Sequence, residues 1–357
     1  MASNIPLLKK FEGSKVLITG HTGFKGSWLT ALLTDAGADV TGYALAPTPD
    51  NCHFNQLKLV DRIHHIEADM RDRDNLVKVV GEVQPEIIFH LAAQPIVRLS
   101  YDDPILTFET NVMGGWNLME AVRLCDSVKS LVFITSDKCY ENVNWVWGYR
   151  ETDTIGGHDP YSASKGAAEV VFSSYLRSFY DQRPELGAAT VRAGNVIGGG
   201  DWAADRIVPD CVRAISNDQP ITLRHPNATR PWQHVLEPLS GYLVTAQKLL
   251  EDPKKFSGAW NFGPNAGDVC TVLELAEAMV RHLGKGEIIA ETPPPNQYEA
   301  QLLQLNCDKA QQLMGWKPRW GAHEAIEATA RWYNDVVLKG EEPTSVTRRQ
   351  IDEFFQV

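Results

Sequence analysis

Residues 15–20, KVLITG, form a short apolar run that leads directly into Gly20-His21-Thr22-Gly23-Phe24-Lys25-Gly26 and then into SWLTALLTDAG. A strand, a turn with glycines at every third position and an amphipathic helix make up the opening unit of a parallel α/β sheet. Glycines let the backbone turn tightly and approach a pyrophosphate, which then sits at the positive N-terminus of the helix. The spacing is G-x-x-G-x-x-G, distinct from the G-x-G-x-x-G of many dehydrogenases. Such a turn can also serve only to pack a helix on a strand.

The rest of the first half repeats this unit. Strand candidates are 38–45, 63–70, 86–93, 129–136 and 188–196, and helical spacing appears at 24–36, 73–83, 105–125 and 161–181. Alternating strands and helices predict an α/β fold, a doubly wound parallel Rossmann sheet. After residue 196 the pattern changes to Gly, Pro and short strands, with helices such as TVLELAEAMVRHLG at 271–284. This predicts a Rossmann domain from 10–196 and 228–262, with WQHV and GAWNF returning to the large sheet. A smaller mixed α/β lobe would come from 197–227 and 263–357.

Composition narrows the partners. A formal charge of −11 argues against nucleic acid and anionic membranes. No stretch of about 18 apolar residues predicts a transmembrane helix, and MASNIPLLKKFEGSK lacks the pattern of a signal peptide. Six scattered cysteines without a C-x-x-C pair are expected to be reduced cytoplasmic thiols, with no zinc site.

Several motifs carry chemistry. Asp69, after the third strand candidate, could accept a hydrogen bond from an adenine amino group or serve as a helix cap or turn carboxylate. His90-Leu91-Ala92-Ala93-Gln94 ends the fourth strand in small residues, which lets a ribose or nicotinamide lie close to the backbone. Tyr161 and Lys165 lie four apart after Pro160, on one face of a starting helix. An ammonium beside a phenol lowers its pKa, so the pair can take a proton from an alcohol as hydride leaves. Thr135-Ser136-Asp137-Lys138 ends the fifth strand, where ligands of open α/β sheets bind. An alcohol dehydrogenase needs only the hydroxyl, so Asp137 and Lys138 suggest a second acid/base event, although a turn with a local ion pair would look the same.

With Gly20, Gly23, Gly26, Asp69, HLAAQ, Asn111, SDK, Tyr161, Lys165 and RAGNVIGGGDW at 192–202, the chain resembles the extended short-chain dehydrogenase/reductase family over nearly its whole length. Within it, GHTGFKGSWL, SDKCYEN and RPWQHVLEPLSGYL resemble the nucleotide-sugar 4,6-dehydratases that act on CDP-glucose. The resemblance implies NAD as cofactor, a CDP-hexose as substrate and three coupled steps: oxidation at C4, loss of water across C5 and C6, and return of hydride to C6. It assigns Ser136, Asp137, Lys138, Tyr161 and Lys165 to catalysis. Ser136 would hold the C4 oxygen and Asp137 would protonate the departing C6 hydroxyl.

Relatives usually carry Asp-Glu where this chain has Asp137-Lys138, with Glu as the C5 base. Lys138 is either that base or an ammonium that stabilises the enolate while Asp137 or a water moves the proton. Gly20, Gly23, Phe24, Lys25, Gly26, Asp69, Met70, Leu91, Ala92, Ala93 and Asn111 would bind the cofactor together with Tyr161 and Lys165. Gln94, Asn195, Arg206, Arg230 and Tyr298 would bind substrate, Arg230 through bidentate pairing with phosphate. For each Arg the alternative is a surface ion pair. Helices 105–125 and 161–181 resemble the four-helix contact of the family's homodimer, and a homotetramer is also expected of such chains.

The second strand ends Tyr43-Ala44-Leu45-Ala46, with no carboxylate before Asp50 and no Arg or Lys between Lys25 and Lys58. NAD is therefore expected with weak discrimination, and Lys25 is the one residue that could clamp a 2′-phosphate. A 4-epimerase would share the fold, Tyr161 and Lys165, but has no use for an acid at 137.

Overall fold

A computed structural model describes residues 5–291 and 302–356. Seven strands form a parallel sheet: β1 Lys15–Thr19, β2 Asp39–Ala44, β3 His64–Glu67, β4 Ile87–His90, β5 Ser130–Ile134, β6 Gly187–Arg192 and, late in the chain, Gly258–Asn261. Beginning at this late strand, the spatial order is then β6, β5, β4, β1, β2, β3. The order reverses between β1 and β4, and this opens a crevice at their carboxyl ends. The central strands read as continuous apolar runs because both faces are covered, whereas the edge strand β3 reads HHIE and is partly exposed. Val16, Ile18, Phe89, Val132 and Val191 pack on one face. Leu17, Ile88, Leu131, Phe133 and Ala188 pack on the other, as the pleat requires.

Local chemistry sets the helix ends. Asp159 caps Pro160–Ser178, accepting from Ser162 N at 2.9 Å, with Pro160 at the first turn. Thr271 and Glu274 form a capping box for Val272–Leu283, which stops at Gly284 in the left-handed region.

Three expectations are corrected. The helix Phe24–Asp35 is buried at every position from Gly26 to Leu33, so it is not amphipathic. The expected helix 105–125 is interrupted: Pro104–Phe108 and Gly115–Arg123 are joined by a π-helical turn, Glu109–Gly114. WQHV does not return to the large sheet. Gln233–His234 pairs with Val196–Ile197 in a separate two-stranded sheet, and the helix Leu236–Glu251 that follows packs on β5 and β6. GAWNF does return, as the strand beside β6.

The C-terminal helix Pro343–Phe355 closes onto the N-terminal part of the chain. His53 is buried, stacks on Trp28 at 5.0 Å, and shares a 3.1 Å hydrogen bond with Thr347. Burial lowers the His53 pKa to about 3, so the ring stays neutral. Among the described residues, no helix is long and apolar enough to cross a membrane, and all six cysteines are buried and free.

Candidate active site

The turn after β1 is built on backbone contact. Gly20 has φ +73°, and a Cβ there would lie 2.5 Å from Ala92 N. A Cβ on Gly26 would lie 2.1 Å from the Gly20 carbonyl oxygen. Gly23 is the N-cap of Phe24–Asp35, with no side-chain cap and no acid in the first turn. The first N–H groups of that helix are therefore left for an anion, and this bare cradle fits a dinucleotide diphosphate. Leu91, Ala92 and Ala93 lie half-exposed beside it. Met70 is buried against Gly114. The two Asp69 oxygens both accept from Arg71, from Nε at 3.1 and 3.0 Å and from Nη2 at 2.6 Å, and this pairing holds the carboxyl below its ordinary pKa.

A cleft of about 940 Å³ continues from this turn past β5 and β6. Its lining includes Phe24, Lys25, Ser136, Asp137, Lys138, Tyr161, Asn195, Arg206 and Arg230. Ser136, Asp137, Tyr161 and Lys165 are buried, and Lys138 is half-buried. Ser136 Oγ donates to Asp137 Oδ1 at 2.9 Å and accepts from Lys138 N at 3.3 Å. Lys165 Nζ lies 6.0 Å from the centre of the Tyr161 ring. One turn further along the helix, Glu169 receives Arg192 at 2.8 and 2.7 Å, Thr135 at 2.5 Å and Thr190 at 2.8 Å. This buried cluster ties the Tyr161 helix to the ends of β5 and β6.

The expected depression of the Tyr161 pKa is not met. Burial pushes the phenol up to about 12, against a hydrogen bond with Ser136, and the Asp137 charge adds to the rise. Burial also lowers Lys165 to about 8, with Cys139 and Glu169 opposing. An ammonium with that pKa is still largely charged at neutral pH.

Lys25 is not placed to hold a 2′-phosphate. Its side chain enters the cleft, 5.9 Å from the Tyr242 ring centre and under the influence of Lys165, Arg206 and Asp137. Burial and those two cations lower its pKa to about 7, with Asp137 opposing.

Two more assignments change. Asn111 spends its amide on protein: its oxygen accepts from Gln94 N at 2.7 Å, and its nitrogen donates to Gln94 O at 3.1 Å and Ser164 Oγ at 2.9 Å. Gln94 turns inward to Thr107 and the Ile96 N–H, so Pro95, Ile96 and Arg98 line the cleft instead. Arg206 pairs with Asp201 at 2.8 Å at the cleft wall, and Arg230 donates to Thr229 O at 2.8 Å. Tyr298 lies outside the described residues. No group of three or more His, Cys, Asp or Glu among the described residues could hold a metal.

Residues 17–329 match the family model for GDP-mannose 4,6 dehydratase. The chain belongs to the GDP-mannose 4,6 dehydratase family. It is 47% identical over 349 residues to a CDP-glucose 4,6-dehydratase of Salmonella typhimurium, covering 96% of this chain and 97% of that protein. A Thermus thermophilus UDP-glucose 4-epimerase, solved in complex with NAD, superposes with a TM-score of 0.76 at 28% identity, over 88% of this chain and 97% of that one. The epimerase Mth375 of Methanothermobacter thermautotrophicus gives a TM-score of 0.79 over 97% of both chains, at 23% identity, which shows the shared fold.

This GDP-mannose 4,6 dehydratase family member has site features that the sequence reading passed over. Asp159, flanking Pro160, holds the start of the Tyr161 helix, and an Asp-Pro pair before a helical pattern is a legible cap signal. Gly194 supports Asp137, and Glu169 and Arg192 brace the strand ends. Sequence spacing carries no signal for these, because their partners lie on other strands.

Proposed function

We propose that this enzyme converts CDP-D-glucose to CDP-4-keto-6-deoxy-D-glucose with NAD. The observation that carries the reading is Asp137. A carboxyl group 3% exposed, held by Ser136 and beside Tyr161 in the substrate cleft, is more than alcohol oxidation needs. The resemblance to the Salmonella CDP-glucose enzyme supports the choice of sugar nucleotide.

Bound NAD would supply the hydride acceptor at C4 and the hydride donor at C6. The protein handles the protons. Tyr161 takes the proton of the C4 hydroxyl, with Lys165 supplying positive charge and Ser136 holding the C4 oxygen. Lys138 takes the C5 proton, which the 4-ketone has made acidic. Asp137 gives a proton to the C6 oxygen, which leaves as water. Lys138 then returns a proton to C5. Residues 10–196 with 228–262 serve the cofactor and 197–227 with 263–357 serve the sugar nucleotide, whose phosphates Arg206 meets from the smaller lobe and Arg230 from the larger.

Tyr101, Ile105, Phe108, Met113, Trp116 and Val170 expose apolar surface on the helices between 97 and 178. These supply a contact for a homodimer or homotetramer. A cytoplasmic role in making deoxysugars for lipopolysaccharide O-antigen fits an enzyme with free, buried thiols.

The test is incubation with CDP-glucose and catalytic NAD, followed by mass spectrometry. A keto sugar lighter by one water, formed without added reductant, is expected. A C4 epimer of unchanged mass would instead mean an epimerase. In heavy water, Lys138→Ala should stop deuterium entering C5 while C4 oxidation persists. Rapid C5 labelling in that variant would assign the base elsewhere.

A further inference from the structure

Asp137 sits on a glycine. It follows β5, and Gly194 follows β6, the neighbouring parallel strand. An ideal Cβ on Gly194 would lie 1.8 Å from Asp137 Oδ2, 2.1 Å from its Cγ and 2.5 Å from Oδ1. No other described glycine approaches a neighbour this closely. The carboxyl therefore lies flat against the bare Cα of Gly194.

The floor beneath it is pinned. Gln233 Nε2 donates to Gly194 O at 2.9 Å, and Gln233 N donates to Asn195 O at 3.1 Å. Asn195 holds a left-handed backbone, φ +53°. Gly194 itself is not in that region, so an L side chain fits its backbone. If a methyl group were added, Gln233 would hold the backbone and the carboxyl would swing away. Of the two Asp137 oxygens, Oδ1 takes the Ser136 hydroxyl. Oδ2 accepts no hydrogen bond among the described residues, which leaves it open to trade a proton with a ligand.

We propose that Gly194 is a positioning residue for the elimination of water: its missing side chain is the seat that aims the Asp137 carboxyl at the leaving oxygen. The inference rests on the dehydratase reading and says which bond-breaking step the seat serves. Hydroxide departs from C6 with the proton of Asp137 while the C5 proton is taken by the base. A misplaced acid slows that step and spares the hydride transfer at C4, where Tyr161 is the base.

The experiment is Gly194→Ala, alone and combined with Asp137→Asn and Asp137→Ala. Its crystal structure should show the Asp137 carboxyl rotated off residue 194. In single turnovers with CDP-glucose, C4 oxidation should fall less than water loss, which should slow on the order of 10²-fold, the usual cost of misplacing a reacting group by about 1 Å. Absorbance at about 340 nm should then persist. In the Asp137→Asn background, the added methyl group should cost no further rate, because the two residues act as one unit. Native elimination rates in Gly194→Ala, or an equal further loss on top of Asp137→Asn, would overturn the proposal. Should Gly194→Ala fold poorly, Asp137→Ala must restore its melting temperature by vacating the space, and failure to do so counts against the seat. The two readings fail separately. If the parent makes no keto sugar, the dehydratase reading falls. If the parent does and the variant is unimpaired, only the seat falls.

Discussion

Two glycine-rich turns meet at the cleft, residues 20–26 and residues 194–200, and they use glycine for different reasons. In the first, the absent side chains would strike backbone: Ala92 N for Gly20, and the Gly20 carbonyl for Gly26. In the second they would strike side chains: Asp137 for Gly194, Trp332 for Gly199 and His53 for Gly200. The turns are latched together, since Trp28 Nε1, from the helix after the first, donates to Gly199 O at 2.9 Å. The first turn is thus a backbone device that leaves amides bare for a ligand. The second is a socket whose shape is set by side chains from other elements.

Gly26→Ala should show the largest difference between them. Overpacking against atoms that cannot yield costs roughly 1–3 kcal/mol, which, where it falls on the bound state, at about 1.4 kcal/mol per decade weakens NAD binding roughly 5- to 150-fold. Calorimetric titration reads this directly, and unchanged affinity would show that the backbone contact does not shape the ligand site. Gly199→Ala should act on stability instead. Its Cβ would lie 2.0 Å from the Trp332 ring, and a similar overpacking cost lowers the melting temperature by roughly 1–4 °C. Trp332→Leu in the same chain should recover part of the loss, whereas Gly26→Ala has no side-chain partner to trim.

A pH-dependent effect concerns Lys25, which leaves the first turn to enter the cleft near Asp137. Its pKa falls from an ordinary 10.5 to about 7. Below pH 7 both folded and unfolded chains hold the proton, and folding bears the full cost of burying the ammonium. Between pH 7 and 10.5 only the unfolded chain holds it, so stability rises with pH. Lys25→Met should therefore melt above the parent near pH 6, with the advantage shrinking towards pH 9. A difference constant with pH would place Lys25 in solvent.

The same contrast explains what the sequence made legible. β1, β4, β5 and β6 could be read because strands buried on both faces become apolar runs, whereas the edge strand β3, HHIE, is legible only from its place in the alternation of strands and helices. Tyr161 and Lys165 could be read because a helix puts positions four apart on one face. The π turn at Glu109–Gly114 escaped, since apolar spacing does not register an extra residue in one helical turn. Gln94 and Asn111 looked like ligand contacts because nothing in their spacing shows that backbone groups and neighbouring side chains consume their amides. The direction of Lys25 and the raised pKa of Tyr161 follow from packing and burial, which depend on where distant segments settle.

The bond between His53 and Thr347 joins positions 294 residues apart in the chain. A ribosome adding roughly 5–20 residues per second delivers those two partners on the order of 15–60 s apart. Through that interval the nascent chain can pair β1 with β2, yet the ring that backs Gly200 has no hydroxyl to meet, and Trp28 has no finished wall to lie against. The wall that joins the two turns is thus completed only after Thr347 has been made. Until then those aromatic surfaces lie uncovered, the condition in which partly folded chains aggregate.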